Sequence, residues 1–280
     1  MVVLLEGKKS SQKWLLESSA KVKKLKGTPC LALIRVGDDS ASKIYLEKKK
    51  KACESTGIKS LLFEFRASAT QAQIEKKIAE LNSDKSVHAI LVQVPIPSHI
   101  DVLQLQEKIN PLKDADGFGP YNMGRLFMGN PQLVAATPAG VMRLLSDYNL
   151  SVKGKKCAVV GRSNIVGKPL ALLLLKEDAT VEIAHSKTPD LKKTCQTADF
   201  VFVAVGACDI VNGSMLKKNC VVVDIGINRP DEGKICGDCD FVSCSKVASY
   251  ITPVPGGVGP MTIASLIANT LQAYKLQKNN

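Results

Sequence analysis

A chain of 280 residues has room for one large or two ordinary domains, and its 45% hydrophobic and 23% charged residues exclude a disordered or low-complexity protein. A net charge of +12 admits a nucleic-acid binder. However, the lysines spread over many helix faces and only 5% of residues are aromatic, so the charge reads as a solvated surface around a site for anions, with no nucleic-acid partner. No run approaches the ~18 apolar residues of a membrane span, and the apolar start is too short for a signal peptide, so a soluble, cytoplasmic chain without a membrane partner is expected.

Apolar runs of strand length alternate with helical patterns, which predicts an α/β fold with mostly parallel strands. Residues 30–36 form a buried strand, 40–55 a helix stopped at Gly57, 59–65 a strand and 70–81 an amphipathic helix. A strand at 87–94 closes on Pro95-Ile96-Pro97, and 101–109 is a helix. The pattern loosens after Tyr121, and a helix follows at 138–148. A second series has strands at 155–160, 179–184, 200–205 and 220–225, with helices at 166–177 and 190–197. The last helix covers 261–276. This organisation predicts two lobes with a cleft between them: an N-terminal α/β substrate domain at 1–137, a Rossmann-like domain at 138–260, and a C-terminal helix (261–280) packing back on the first.

Of nine cysteines, an odd number scattered through predicted strands and helices, most look like small core residues of a reducing compartment rather than staples. Cys236, Cys239 and Cys244 have the C-x2-C-x4-C spacing of a zinc site. A fourth ligand is missing and Gly237-Asp238 reads as a strand connection, so no metal is expected.

The strand at 155–160 runs into Gly161-Arg162-Ser163-Asn164-Ile165-Val166-Gly167-Lys168-Pro169 and then a helix. A strand, a glycine turn and a helix N-terminus make an anion site, because unpaired N–H groups and the helix dipole face a phosphate. Ser163 stands where the usual second glycine would be, and a plain structural turn is the alternative. The tip of the next strand reads His185-Ser186-Lys187-Thr188, without the carboxylate that would bind a ribose 2′-hydroxyl. Arg162, Ser186 and Lys187 would instead meet a 2′-phosphate, which favours NADP. Glu182 lies earlier in the strand and is expected to point elsewhere, and His185 is expected to pack or cap rather than catalyse.

Tyr250-Ile251-Thr252-Pro253-Val254-Pro255-Gly256-Gly257-Val258-Gly259-Pro260-Met261-Thr262 is a stiff loop whose glycines let backbone approach a flat ligand; a domain-connecting turn is the plain alternative. Its spelling resembles the signature loop of the methylenetetrahydrofolate dehydrogenase/cyclohydrolase family. The turn at 161–169 and Val223-Asp224-Ile225-Gly226-Ile227-Asn228 are similar to that family's nucleotide-binding motifs. Ser42-Lys43-Ile44-Tyr45-Leu46-Glu47-Lys48-Lys49, Leu91-Val92-Gln93-Val94-Pro95 and Lys113-Asp114-Ala115-Asp116-Gly117 look like its substrate-site motifs, and the resemblance covers residues 28–275.

The resemblance implies NADP-dependent oxidation of methylene-tetrahydrofolate to methenyl-tetrahydrofolate and its hydrolysis to formyl-tetrahydrofolate. It also implies tetrahydrofolate ligands, polyglutamylated forms included, and a homodimer. A dehydrogenase with weak or absent cyclohydrolase activity is the near alternative; a shikimate-type reductase is a more distant one, against which the proline–glycine loop argues. Residue by residue, the resemblance implies that Lys49 is the catalytic group of hydration, Tyr45 packs against the folate, Gln93 tunes the lysine and Asp116 accepts from the pterin. Val92 and Val94 with Pro255, Gly256, Gly257, Val258 and Gly259 would line the folate, and Gly161, Arg162, Ser163, Ser186 and Ile227 would take NADP.

The i, i+4 spacing of Tyr45 and Lys49 puts both on one helical face, and neighbouring Lys48 and Lys50 with a cationic substrate would favour the neutral amine of Lys49. Without the resemblance, residues 48–51 are a solvated face, Asp116-Gly117 an ordinary turn and Gln93 a strand-end amide. Three positions depart from the family's usual spelling: Ala136 for a cysteine, Gly206-Ala207-Cys208-Asp209 for a glycine–proline turn near the nicotinamide, and Cys239 for a valine.

Overall fold

The computed structural model describes residues 1–230 and 235–278. Its elements run β1 (Val3–Leu4), α1 (Gly7–Val22), β2 (Cys30–Val36), α2 (Ser40–Thr56), β3 (Lys59–Phe65), α3 (Gln71–Ser83), β4 (Ala89–Gln93), α4 (Val102–Lys108) and α5 (Pro120–Phe127). There follow α6 (Ala136–Asp147), β5 (Lys156–Val160), α7 (Gly167–Lys176), β6 (Thr180–Ala184), α8 (Leu191–Gln196), β7 (Phe200–Val203), β8 (Val221–Asp224), α9 (Phe241–Ser245), β9 (Tyr250–Ile251) and α10 (Val258–Lys278). The fold is α/β, and all pairings between these strands are parallel. The chain divides into a three-strand unit (12–136 with 263–280) and a six-strand unit (1–11 with 137–262).

In the three-strand unit the strand order is β3-β2-β4. A parallel strand covered on both faces is apolar almost throughout, as β2 is, and its two side-chain rows feed two different cores. Leu31 and Leu33, with Ala89 and Leu91 of β4, pack with Cys53 of α2 and Leu266, Ile267 and Leu271 of α10. The alternate residues Ala32, Ile34 and Val36, with Ile90 and Val92, join Ile74 and Ile78 of α3 and Leu105 of α4.

Beyond β4 the chain makes a turn that carries Asp116. The buried Asp114 carboxylate accepts from Gly117 N at 3.0 Å, Gly119 N at 2.9 Å and Asn122 Nδ2 at 2.9 Å. Asn269 of α10 secures the same turn by donating to Ala115 O at 2.9 Å and Val134 O at 2.8 Å. Helix α5 begins there, with Pro120 in its first turn, where the sequence pattern predicts only a loosening.

In the six-strand unit the order is β1-β9-β8-β7-β5-β6. From β5 the chain moves to β6 on one side and to β7 on the other, so the direction of winding reverses at β5. Ligands of such sheets bind outside the carboxyl ends of the strands at this reversal. Val160, Val201, Val203 and Val222 pack with Cys195 of α8 and Cys244 of α9 on one face of the sheet.

One expectation is corrected, and two features of the structure have no counterpart in the sequence pattern. Residues 1–11 belong with the six-strand unit rather than with a 1–137 domain, because Val3 and Leu4 pair with Tyr250 and Ile251 in strands too short to show a period. Helix α1 was not anticipated, since its sequence buries Ser10, Ser11 and Ser18 and so has little apolar periodicity. Cys208 and Cys236 are disulfide-bonded, with Cα atoms 6.0 Å apart, while the other seven cysteines are free and buried. A 28-residue separation hides that pairing in the sequence. Among the described residues no group of His, Cys, Asp and Glu could hold a metal ion, and no helix is long and apolar enough to cross a membrane.

Gly117 has φ +70°, and a Cβ there would lie 2.4 Å from the carbonyl carbon of Val134. Gly117→Ala should therefore cost about 2 kcal/mol or more and lower the thermal midpoint by ~4 °C or more. An unchanged melting curve would show that the turn relaxes freely.

Candidate active site

The three-strand unit brings together Lys49, Gln93 and Asp116. Lys49 sits on α2, Gln93 ends β4, and Asp116 lies on the turn shaped by Asp114. Lys49 Nζ donates to Gln93 Oε1 at 2.8 Å, while Gln93 Nε2 donates to Val94 O at 2.5 Å. The second bond fixes the amide so that its oxygen faces the amine. Gln93 is only 7% exposed and Lys49 is half-buried.

Burial lowers the Lys49 pKa, while the charge of Asp116 opposes the shift. Asp116 moves the other way: burial pushes it up to about 6, against the pull of Lys49, and Asp114 adds to the rise. The flanking lysines are not what lowers Lys49, contrary to the expectation from the charge run. Lys50 pairs with Glu47 at 3.1 Å and the Lys48 ammonium lies 5.6 Å from the Tyr45 ring centre, so both are engaged along the helix surface. Tyr45 is half-buried one turn before Lys49.

Val92 is 1% exposed and its side chain belongs to the core, so it has only backbone to offer a ligand. Val94, in contrast, is exposed. Pro255 to Gly259 lie in the six-strand unit, where residues 253–259 and 224–227 line a small pocket. The Gly256 carbonyl accepts from Lys8 N at 3.1 Å, which ties the loop to the start of α1.

At the end of β5, Gly161 has φ +129°, and a Cβ there would lie 2.3 Å from Ala204 O, so only glycine makes this passage between β5 and the end of β7. Ser163 Oγ accepts from Val166 N at 3.2 Å and Gly167 N at 3.4 Å, closing the turn on the start of α7. Arg162, Ser186, Lys187 and Ile227 are exposed. His185 caps locally: its Nδ1 accepts from Lys187 N at 3.1 Å and its own N–H donates to Thr188 Oγ1 at 2.9 Å. Glu182 is turned away, accepting from Thr194 Oγ1 at 2.7 Å and lying 3.4 Å from Lys156 Nζ. The exposed side chains at the tips of β5 and β6 thus include a guanidinium, a hydroxyl and an ammonium, donor chemistry that suits a phosphate group.

Sequence reasoning missed Asp238, read only as part of a strand connection. It is fully buried and accepts from Val205 N at 2.6 Å, Gly206 N at 3.0 Å, Ala207 N at 3.1 Å and Asn228 Nδ2 at 2.8 Å, so it shapes the loop after β7. Asp224 does the same for the turn after β8, accepting from Gly226 N, Asp238 N and Cys239 N. No local spelling announces the role of Asp238, because the backbone groups it holds lie 31–33 residues away.

Residues 5–116 match the tetrahydrofolate dehydrogenase/cyclohydrolase catalytic domain, and residues 135–278 match the NAD(P)-binding domain of the same family. The bifunctional protein FolD of Magnetococcus marinus is 50% identical over 283 residues, covering 100% of this chain and 99% of the relative. Among solved structures, the bifunctional FolD methylenetetrahydrofolate dehydrogenase/cyclohydrolase of Campylobacter jejuni superposes with a TM-score of 0.96 at 47% identity, covering 99% of both chains. The Trypanosoma brucei dehydrogenase-cyclohydrolase, solved with NADP cofactor and an inhibitor, has a TM-score of 0.94 at 36% identity, covering 100% of this chain and 99% of that one. With both of its units matched and relatives aligned from end to end, this chain belongs to the tetrahydrofolate dehydrogenase/cyclohydrolase family.

Proposed function

We infer that this protein oxidises methylene-tetrahydrofolate with NADP and hydrolyses the resulting methenyl-tetrahydrofolate to formyl-tetrahydrofolate. The observation that carries the reading is the 2.8 Å bond between the half-buried Lys49 amine and Gln93. NADP, when bound, supplies the hydride acceptor of the first reaction. Arg162 and Ser186 hold its 2′-phosphate, and Gly161 and Ser163 form the turn beneath its phosphates. The oxidation needs no acid or base at the donor carbon, so the chain contributes position: Tyr45 stacks against the folate and Asp116 accepts from the N–H groups of the pterin.

Hydrolysis needs proton movement. Water adds to the cationic methenyl carbon and the neutral amine of Lys49 takes the proton that the water must lose; the carbon–N5 bond then breaks, N5 takes up that proton, and the carbon stays on N10 as the formyl group. Gln93 orients that amine without a negative charge that would hold its proton. The cytoplasmic location accords with seven free, buried cysteines. The homodimer and the polyglutamylated substrates rest on the family resemblance alone; sedimentation and assays with polyglutamates test them. The two-step reading is tested by supplying methylene-tetrahydrofolate and NADP and following NADPH and the methenyl absorbance together. NADPH should rise while the methenyl signal appears and decays.

Arg162→Ala should raise the KM for NADP ~10-fold or more, the scale of a lost charge-assisted contact of ~1.5–3 kcal/mol. Equal kcat/KM for NAD and NADP in the unaltered protein would refute this assignment.

Lys49→Met keeps most of the apolar stem and removes the amine. Cyclohydrolase activity should fall ~100-fold or more while dehydrogenase activity falls less, so methenyl-tetrahydrofolate accumulates. A retained hydration rate with folate binding intact would place the chemistry elsewhere.

Asp116 has a raised pKa, so its carboxyl is neutral below about 6 and ionised above. Only the ionised form accepts fully from the pterin. Binding of a non-reactive tetrahydrofolate analogue should weaken as pH falls below that value, approaching ~10-fold per pH unit, and Asp116→Asn should abolish the step. Calorimetric titrations between neutral and mildly acidic pH decide this; a flat profile counts against the role given to Asp116.

A further inference from the structure

The nine cysteines fall into two chemical groups. Seven are buried and free. Burial pushes Cys53, Cys157 and Cys195 up to about 12 and Cys220 up to about 11, and it raises Cys30 as well. Thiols held protonated and out of solvent react slowly with oxidants. Cys208 and Cys236 differ: both are partly exposed, both lie on loops, and they are bonded to each other.

Their positions give the bond a mechanical role. Cys208 directly follows Val205, Gly206 and Ala207, whose N–H groups Asp238 holds. Cys236 stands two residues before Asp238 and faces Asn228 in an antiparallel bridge: Asn228 N donates to Cys236 O at 2.9 Å and Cys236 N to Asn228 O at 3.2 Å. Ile227, one of the residues assigned to NADP, is the neighbour of Asn228 in sequence. The exit of β7 and the segment leaving β8 are thus brought together by Asp238, and the cysteine pair adds a covalent tie between them. Gly161 passes against Ala204, at the start of that same exit.

We propose that Cys208 and Cys236 form a reversible thiol–disulfide pair that tightens NADP binding when oxidised, by pinning the loop after β7 to the segment that carries Ile227. The inference rests on the NADP assignment above. In a reducing compartment a disulfide on partly exposed loops is more often a redox sensor than a staple. The oxidant is a low-molecular-weight disulfide. One cysteine thiolate attacks it, releasing one thiol and leaving a mixed disulfide. The second cysteine thiolate then displaces the other half as a second thiol. The pair loses two electrons and two protons, and the oxidant's S–S bond is reduced to two thiols. With the tie broken, the loop regains freedom that NADP binding must remove, so affinity falls.

The test uses the full chain, treated either with dithiothreitol or with glutathione disulfide. Native alkylation and peptide mapping then read the thiols, and calorimetry reads NADP affinity in both states. The expected result is a Cys208–Cys236 cross-linked peptide after oxidation, with the other seven cysteines alkylated only on denaturation. NADP should bind at least about threefold more tightly in the oxidised state. Cys208→Ser and, separately, Cys236→Ala should bind NADP with the reduced protein's affinity in both treatments. Two alkylatable thiols after oxidation, glutathione adducts without the cross-link, or equal NADP affinity in the two states would each overturn the proposal. The mapping needs no cofactor, so the outcomes separate: absence of NADP binding in both states refutes the cofactor assignment and the switch with it, whereas equal binding refutes the switch alone.

Discussion

Asp238 is enclosed in the six-strand unit, where an unpaired carboxylate would be strongly disfavoured, and it is stabilised by three backbone N–H groups and one side-chain amide. Loss of the carboxyl group would leave these donors without their partner. The same device recurs at Asp224 and, in the three-strand unit, at Asp114. Each converts an irregular segment beyond a strand end into a defined shape. The turn that presents Asp116 and the loops beside Gly161 and Ile227 take their shape from backbone N–H groups gathered on these buried carboxyl groups.

The chemistry of Lys49 follows from a contest between burial and charge. Removal from water disfavours its ammonium form, and Asp116 pulls the other way without cancelling the effect. Burial likewise brings Asp116 up to about 6, and Lys49 limits that rise. Each group therefore keeps its partner from a more extreme shift. Gln93 completes the arrangement because an amide can hold the amine in place without adding negative charge. A carboxylate at the same point would oppose the downward shift of the lysine, as Asp116 already does.

Several of these groups stand at the carboxyl ends of parallel strands: Gln93 ends β4, Gly161 follows β5, the loop held by Asp238 follows β7, and Asp224 ends β8. Parallel sheets bury both faces, so variation and function concentrate in the loops at one edge. The same constraint explains the cysteines. Seven cysteines are sheltered core residues, and the two that are partly exposed are the pair bonded to each other.

The alternation of apolar runs in the sequence was enough to determine the α/β class and the main strands, because a doubly covered parallel strand such as residues 30–36 must be apolar at nearly every position. The i, i+4 pair Tyr45 and Lys49 and the glycine turn after β5 were equally legible, since both are local patterns. Helix α1 was not legible, for its buried face carries serines, and neither was β1, which exists only through its partner β9. The same limit applied to the site. The Lys49–Gln93 bond joins residues 44 positions apart, and the loop held by Asp238 depends on an acceptor about 32 positions away. Local spacing determines which residues share a helix face or a turn. Burial, and with it the pKa of Lys49 and Asp116 and the pairing of Cys208 with Cys236, is decided only when distant segments pack, because desolvation and distance are properties of the packed chain.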